Sequence, residues 1–240
     1  MKIHGLQKMT LLDFPGHVAC TVFLGGCDLR CPYCHNYELA AGIAPPVMEE
    51  EELFAFLKKR KGLLDGVAIT GGEPCLHADL PAFMARIKEL GYPVKLDTNG
   101  THPDMLAEVL RQGLADYVAM DVKNSPAKYA VTAGMAAELS APGAPVLDFL
   151  ARILRSIEIL KASGIDYEFR TTVVEELHEA EDFDEIGKLI EGAERYYLQC
   201  FTDRDTVPFG GLSAPSKSKL EACARAVSGY VKTVQIRGVD

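Results

Sequence analysis

Residues 24–38 read LGGCDLRCPYCHNYE and follow directly on the apolar run VACTVFL at 18–24. That run is a candidate buried strand. The loop after it carries Cys27, Cys31 and Cys34, three cysteines within eight positions. Alone, the loop supports four chemistries. Cys31-Pro32-Tyr33-Cys34 is a C-x-x-C redox pair of the glutaredoxin kind. Cys31 to His35 is a C-x-x-C-H haem-attachment string. The cluster could form most of a zinc site. Three thiolates could also hold an iron–sulfur cluster with one iron left unligated.

The flanking sequence alternates between strand and helix signals. MEEEELFAFLKKR (48–60) has Leu53, Phe54 and Leu57 at helical spacing, with acids first and bases last, as the helix dipole favours. GVAIT (66–70) reads as a strand, ADLPAFMARIKEL (78–90) as a helix and PVKLDTN (93–99) as a strand. PDMLAEVLRQG (103–113) opens on proline and closes on glycine, as a helix should. DYVAMDV (116–122), DYEFRTTVV (166–174), RYYLQC (195–200) and KTVQIR (232–237) read as strands. Helices are expected at 147–164, near 181–191 and at 215–228. Strands alternating with helices of this length imply parallel βαβ units. Residues 123–146 form the one long irregular connection, either a functional segment or a tolerated surface insertion.

The 240 residues suit one large α/β domain, read as a single domain with a core at about 16–202 and a C-terminal helix and strand at 203–240. A net charge of -9 argues against broad attraction to nucleic acid or an anionic membrane. No secretory signal and no membrane-length apolar run is read, so a cytoplasmic protein is expected. There its seven cysteines should be reduced, which favours metal or redox roles over disulfides and weakens the haem reading.

Polar and metal-binding residues fall at the ends of the strands. The cysteine loop follows the first strand, TGGEP (70–74) the second, DTNG (97–100) the third, and Asp121 and Lys123 the fourth; Arg170 lies in the fifth and Gln199-Cys200 ends the sixth. A parallel barrel gathers these ends on one face, where its active sites sit. Each feature also has a plain account. Gly71-Gly72-Glu73-Pro74 suits a strand-to-helix turn, Asn99-Gly100 is a turn signal, and Arg170 could serve a structural ion pair. A structural zinc site needs a fourth ligand; His35 is badly placed beside Cys34, and no second C-x-x-C appears. Gly25 and Gly26 would let backbone approach a cluster. Cys20, Cys75, Cys200 and Cys223 lack ligand spacing and read as buried, although Cys75 and Cys200 could reach the mouth. His4, His17, His77, His102 and His178 read as surface or cap residues.

Cys27-x3-Cys31-x-Tyr33-Cys34, continuing into His35-Asn36 and followed in order by TGGEP, LDTNG and MDVK, resembles the radical S-adenosylmethionine signature in its glycyl-radical-enzyme activating branch. GLQKMTLLDFPG followed by VFLGGC is similar to the activating proteins of anaerobic ribonucleoside-triphosphate reductase, over residues 3 to about 202. The resemblance implies an α/β fold with a partial, open parallel β/α barrel of about six strands. It implies a [4Fe-4S] cluster on Cys27, Cys31 and Cys34 and S-adenosylmethionine on the open iron, cleaved to a 5′-deoxyadenosyl radical. Tyr33, Gly71, Gly72, Glu73, Asp97, Asn99, Asp121, Lys123 and Arg170 become cofactor contacts, with Gly71, Gly72 and Glu73 at the methionine amino group. By the same resemblance, Asp97, Thr98, Met120 (through its backbone carbonyl) and Asp121 match a sodium or potassium site. The implied substrate is a glycine Cα–H of a partner glycyl radical enzyme, an anaerobic ribonucleotide reductase, with flavodoxin or ferredoxin as electron donor. Gln199-Cys200-Phe201-Thr202 stands where the pyruvate formate-lyase activase has a cofactor-contacting histidine, which favours the reductase. A pyruvate formate-lyase activase, a deazapurine synthase, a dithiol oxidoreductase and a zinc-binding interaction protein remain as alternatives.

Overall fold

The computed structural model describes residues 1–139 and 146–239. In chain order the strands are β1 (Lys2–Ile3), β2 (Gly5–Thr10), β3 (Ala19–Leu24), β4 (Met48–Glu49), β5 (Gly66–Gly71), β6 (Val94–Thr98), β7 (Tyr117–Asp121), β8 (Asp166–Val173), β9 (Arg195–Cys200) and β10 (Thr233–Arg237). The helices are α1 (Tyr37–Ala40), α2 (Glu50–Lys59), α3 (Leu80–Glu89), α4 (Pro103–Arg111), α5 (Tyr129–Thr132), α6 (Ala136–Leu139), α7 (Val146–Ala162), α8 (Ala180–Leu189) and α9 (Lys217–Val227).

The main sheet has eight strands in the order β10-β9-β8-β7-β6-β5-β3-β2. Every neighbouring pair is parallel except β2 with β3. From β3 onward each new strand joins the same edge, so successive right-handed crossovers put their helices on one face. That is the winding of a barrel rather than of a doubly wound sheet. Among the described residues no ladder joins β2 to β10, and the barrel is open there.

Period-two alternation divides each strand between two environments. Val22, Ile69, Leu96, Val118, Phe169 and Leu198 face the helices in one continuous core with Leu53, Phe83, Val109, Ile157, Phe183 and Leu220. Burying each such side chain contributes about 1.5–3 kcal/mol. The other positions face inward and are mostly small or polar. Ala19, Tyr117 and Ala119 meet Phe14 in a separate apolar cluster. Further along the same strands stand Thr21, Asp97, Asp121, Arg170 and Gln199, which line a cavity.

Two parts differ from expectation. GLQKMT, not read as a strand, forms β2, an antiparallel edge whose register shifts between Gln7 and Thr10; that irregularity breaks the alternation a strand would show. The 123–146 connection, read as irregular, contains α5 and α6, while its residues 140–145 lie outside the described residues. It also touches the cysteine loop, because the Arg30 N–H donates to the Ala133 carbonyl at 3.0 Å. A side chain on Gly134 would put its Cβ 1.9 Å from the Arg30 carbonyl oxygen.

Candidate active site

A cavity of about 500 Å³ opens at the C-terminal ends of the parallel strands. Cys27, Cys31 and Cys34 all line it, with Tyr33 between the last two. The cysteine loop has almost no regular structure, and contacts from distant elements hold it. The Gly72 N–H donates to the Leu24 carbonyl and the Glu73 N–H to the Gly26 carbonyl, both at 2.8 Å. His77 donates through Nε2 to the Gly25 carbonyl at 2.9 Å, and Asn36 Nδ2 to the Gly71 carbonyl at 3.2 Å. Across the mouth, His35 Nε2 donates to the Thr202 carbonyl at 2.7 Å, with its ring stacked on Phe201 at 5.5 Å.

The glycines of TGGEP serve this anchoring. Gly71 has φ +118°, and a Cβ there would lie 2.2 Å from the Leu24 carbonyl oxygen. At Gly72 it would lie 1.9 Å from the Gly26 carbonyl oxygen. Both glycines line the cavity, but side-chain size is limited by the chain that carries Cys27. The space beside Gly25, expected to face a cluster, is filled by the His4 ring 2.7 Å from where a Cβ would stand.

Glu73 departs from its expected place. Its carboxylate is fully buried and does not line the cavity. Oε1 accepts from the Cys75 N–H and Thr98 Oγ1, both at 2.8 Å, and Oε2 from the Asn99 N–H at 2.6 Å. It ties the end of β5 to the end of β6, with two donors on Oε1 and one on Oε2. Burial pushes this carboxyl up to about 7, against hydrogen bonds that favour its charge. Asn99 passes the tie onward, reaching Cys27 Sγ at 3.6 Å and Asp28 at 3.0 Å through Nδ2.

The facing wall is charged. Arg170 Nε binds Asp121 Oδ1 at 2.5 Å and Arg170 Nη2 lies 3.2 Å from Asp97 Oδ2. Lys123 Nζ binds Asp121 Oδ2 at 2.7 Å, and Lys95 Nζ binds Asp97 Oδ1. Burial opposes the charge on both aspartates, but the Arg170 guanidinium and the two lysines hold them below the usual carboxylate range. The same carboxylates keep Arg170 and Lys123 charged. His178, expected in a surface or cap role, is fully buried; it accepts from the Val174 N–H and donates to the Lys123 carbonyl, fixing that loop.

Of the remaining expected residues, Thr98 lines the cavity but spends its hydroxyl on Glu73. Met120 is buried, its thioether beneath Gly100. Cys75 is buried away from the cavity, and Cys200 is half-buried and does not line it. Sequence reading missed Asp13, Thr21, Thr70, Thr172 and Arg204 on the lining. The three threonines stand at inward positions of β3, β5 and β8, so counting by twos along each strand would have found them. Thr21 Oγ1 donates to Asp13 at 2.5 Å. Arg204 carries no sequence signal.

The donor set can be tested for a metal group. Thiolates suit soft iron or zinc centres. Among the described residues, no three His, Cys, Asp or Glu side chains close on a single-ion site. The three thiols instead share one wide cavity, as a cluster of several irons needs. Cys27 Sγ accepts from the Leu29 N–H at 3.4 Å, a contact that suits a thiolate. Without a metal, burial pushes Cys27 up to about 12 and Cys31 to about 11, and it also raises Cys34. These thiols become ligands when a metal displaces their protons. The Tyr33 hydroxyl is buried without a partner. The residues present fit an iron–sulfur cluster.

The sequence profile described as the radical SAM superfamily matches residues 21–190. The chain belongs to the radical S-adenosylmethionine superfamily. A relative from Methanocaldococcus jannaschii, named "Putative glycyl-radical enzyme activating enzyme", is 32% identical over 241 residues, covering 99% of this chain and 96% of its own. The pyruvate formate-lyase-activating enzyme of Clostridium pasteurianum is 33% identical over 128 residues, 51% of this chain and 52% of its own. The 7-carboxy-7-deazaguanine synthase of Thermococcus kodakarensis is 32% identical over 127 residues, 45% of this chain and 49% of its own. Among solved structures, "Native anSMEcpe with bound AdoMet" superposes with a TM-score of 0.61 at 16% identity, covering 89% of this chain and 61% of that one. At that identity the likeness concerns the fold. This superfamily uses a [4Fe-4S] cluster and S-adenosylmethionine, and the open, mostly parallel sheet is its fold.

Proposed function

We propose that this protein activates a glycyl radical enzyme, with an anaerobic ribonucleoside-triphosphate reductase as its partner. The observation that carries the reading is the cavity itself: three anchored thiols on one wall face fixed cations on the other. The near full-length similarity to an activating-enzyme relative supports the branch. When bound, the cluster and S-adenosylmethionine supply a 5′-deoxyadenosyl radical, which removes a hydrogen atom from a glycine Cα of the partner.

Each wall has a part in this reading. Cys27, Cys31 and Cys34 hold the cluster and leave one iron free for S-adenosylmethionine. The charge network holds three cations, Lys95, Lys123 and Arg170, against two carboxylates, Asp97 and Asp121, an excess of one positive charge suited to the carboxylate of S-adenosylmethionine. Gly71 and Gly72 bring backbone to the same cavity, where the methionine amino group binds. Tyr33 and Asn99 flank the cluster. The open side of the barrel admits the partner's glycine loop. A flavodoxin or ferredoxin supplies the electron, in a reducing cytoplasm. The raised thiols count against a dithiol oxidoreductase, which needs a thiolate near neutral pH.

The test is anaerobic reconstitution, reduction and addition of S-adenosylmethionine with an anaerobic reductase. The expected result is 5′-deoxyadenosine, together with a glycyl electron-spin signal on the reductase. A Cys27→Ala protein that keeps its iron and its activity would sink the reading. Cleavage of S-adenosylmethionine with the signal on a pyruvate formate-lyase alone would change the partner. Turnover of a deazapurine precursor alone would move the chain to small-molecule chemistry.

A further inference from the structure

Asp97 and Asp121 end neighbouring strands, and two carboxylates at the mouth of a barrel invite a hard metal cation. Each of their four oxygens already faces a cation. Asp97 Oδ1 takes the Lys95 ammonium and Asp97 Oδ2 takes the Arg170 guanidinium. Asp121 Oδ1 takes Arg170 and Asp121 Oδ2 takes Lys123. Each oxygen has its own cationic donor, and the group of five already carries one excess positive charge. A sodium or potassium ion would add to that excess. The monovalent-cation site implied by family resemblance does not fit the charge of these residues.

Lys95 is the residue that makes the difference. It sits in β6 two positions before Asp97, so both side chains leave the same face of the strand. It is 3% exposed, in the interior of the sheet, where an ammonium is expensive unless paired. Its register partner on β7 is Tyr117, and its one hydrogen-bond acceptor is Asp97. A lysine in this place has the same charge as an alkali ion and is covalently tied to the strand.

We propose that Lys95 is a built-in replacement for an exchangeable monovalent cation, so that the Asp97–Arg170–Asp121 bridge forms without sodium or potassium. Lys95 is a positioning residue: it fixes Asp97, and through Asp97 it fixes Arg170. The inference concerns these five side chains and holds whichever partner the protein activates.

The experiment compares thermal unfolding of the metal-free full chain in sodium, potassium and choline chloride at equal ionic strength. The wild-type midpoint should be the same in all three salts. Lys95→Met should unfold earlier in choline and recover by about 5 °C as sodium or potassium fills the vacated oxygen, saturating with concentration. If Lys95→Met does not fold, Lys95→Gln carries the same expectation. A wild-type midpoint that rises selectively and saturably with sodium or potassium would overturn the proposal. So would variants that are equally destabilised, or equally stable, in every salt, which would make Lys95 a structural pairing only. Failure of the reconstituted protein to bind S-adenosylmethionine would count against the proposed function and leave this comparison untouched.

Discussion

On the β3–β5 side of the cavity, the decisive contacts are between backbones; on the β6–β8 side they are between charged side chains. The first wall is made of Gly26, Gly71 and Gly72, and a Cβ on Gly71 or Gly72 would penetrate a carbonyl oxygen. The second is made of long side chains from three strands whose charges meet over 2.5–3.2 Å in the Arg170 and Lys123 contacts. A backbone wall tolerates almost no change in shape but depends little on salt. A charged wall tolerates some change in shape but depends on every partner being present. The thiols stand on the rigid wall, where ligand geometry must be fixed before metal arrives.

The sharpest way to break this contrast is Gly72→Ala. The added methyl group meets the Gly26 carbonyl at 1.9 Å, and Gly26 can yield only by moving Cys27. The expected cost exceeds about 4 kcal/mol, seen as insoluble protein or as folded protein that takes up no iron. Arg170→Met comes next. It leaves Asp97 and Asp121 each short of a donor, so stability should fall by about 3–5 kcal/mol in denaturant melts while iron loading persists. Loss of iron in step with stability would show that the two walls are not separate.

Glu73→Gln gives the smallest effect and sharpens the picture of the rigid wall. The carboxyl is raised from its ordinary 4.5 to about 7, chiefly by burial. Because the folded value lies above the unfolded one, the contribution is complete below about pH 4.5 and is lost as pH rises through about 7. The glutamine variant lacks this titration. Its stability deficit in the metal-free protein should therefore shrink by roughly 3 kcal/mol between about pH 4.5 and 8. A deficit that stays constant or grows with pH would mean that Glu73 is charged throughout, stabilised by its three donors.

Much of this was legible in the sequence. The alternation of apolar strands with amphipathic helices specifies the winding, and the strand ends place the cysteine loop opposite Asp97, Asp121 and Arg170. A motif names its residues without saying where they point. Glu73 reads as a ligand for a cation, yet it is buried and bonded to Cys75, Thr98 and Asn99. Lys95 reads as one polar letter in a strand, because its meaning depends on Arg170 and Asp121 from two other strands. The edge strand β2 escaped because its register shift spoils the period-two pattern.

The His35–Thr202 hydrogen bond joins residues 167 positions apart, and the Arg30–Ala133 bond adds a third side to the same enclosure. Closing so long a span costs chain entropy that only a finished sheet offsets. The geometry of the cysteine loop thus depends on contacts that the sheet supplies, in contrast to a zinc finger, whose chain closes around its metal.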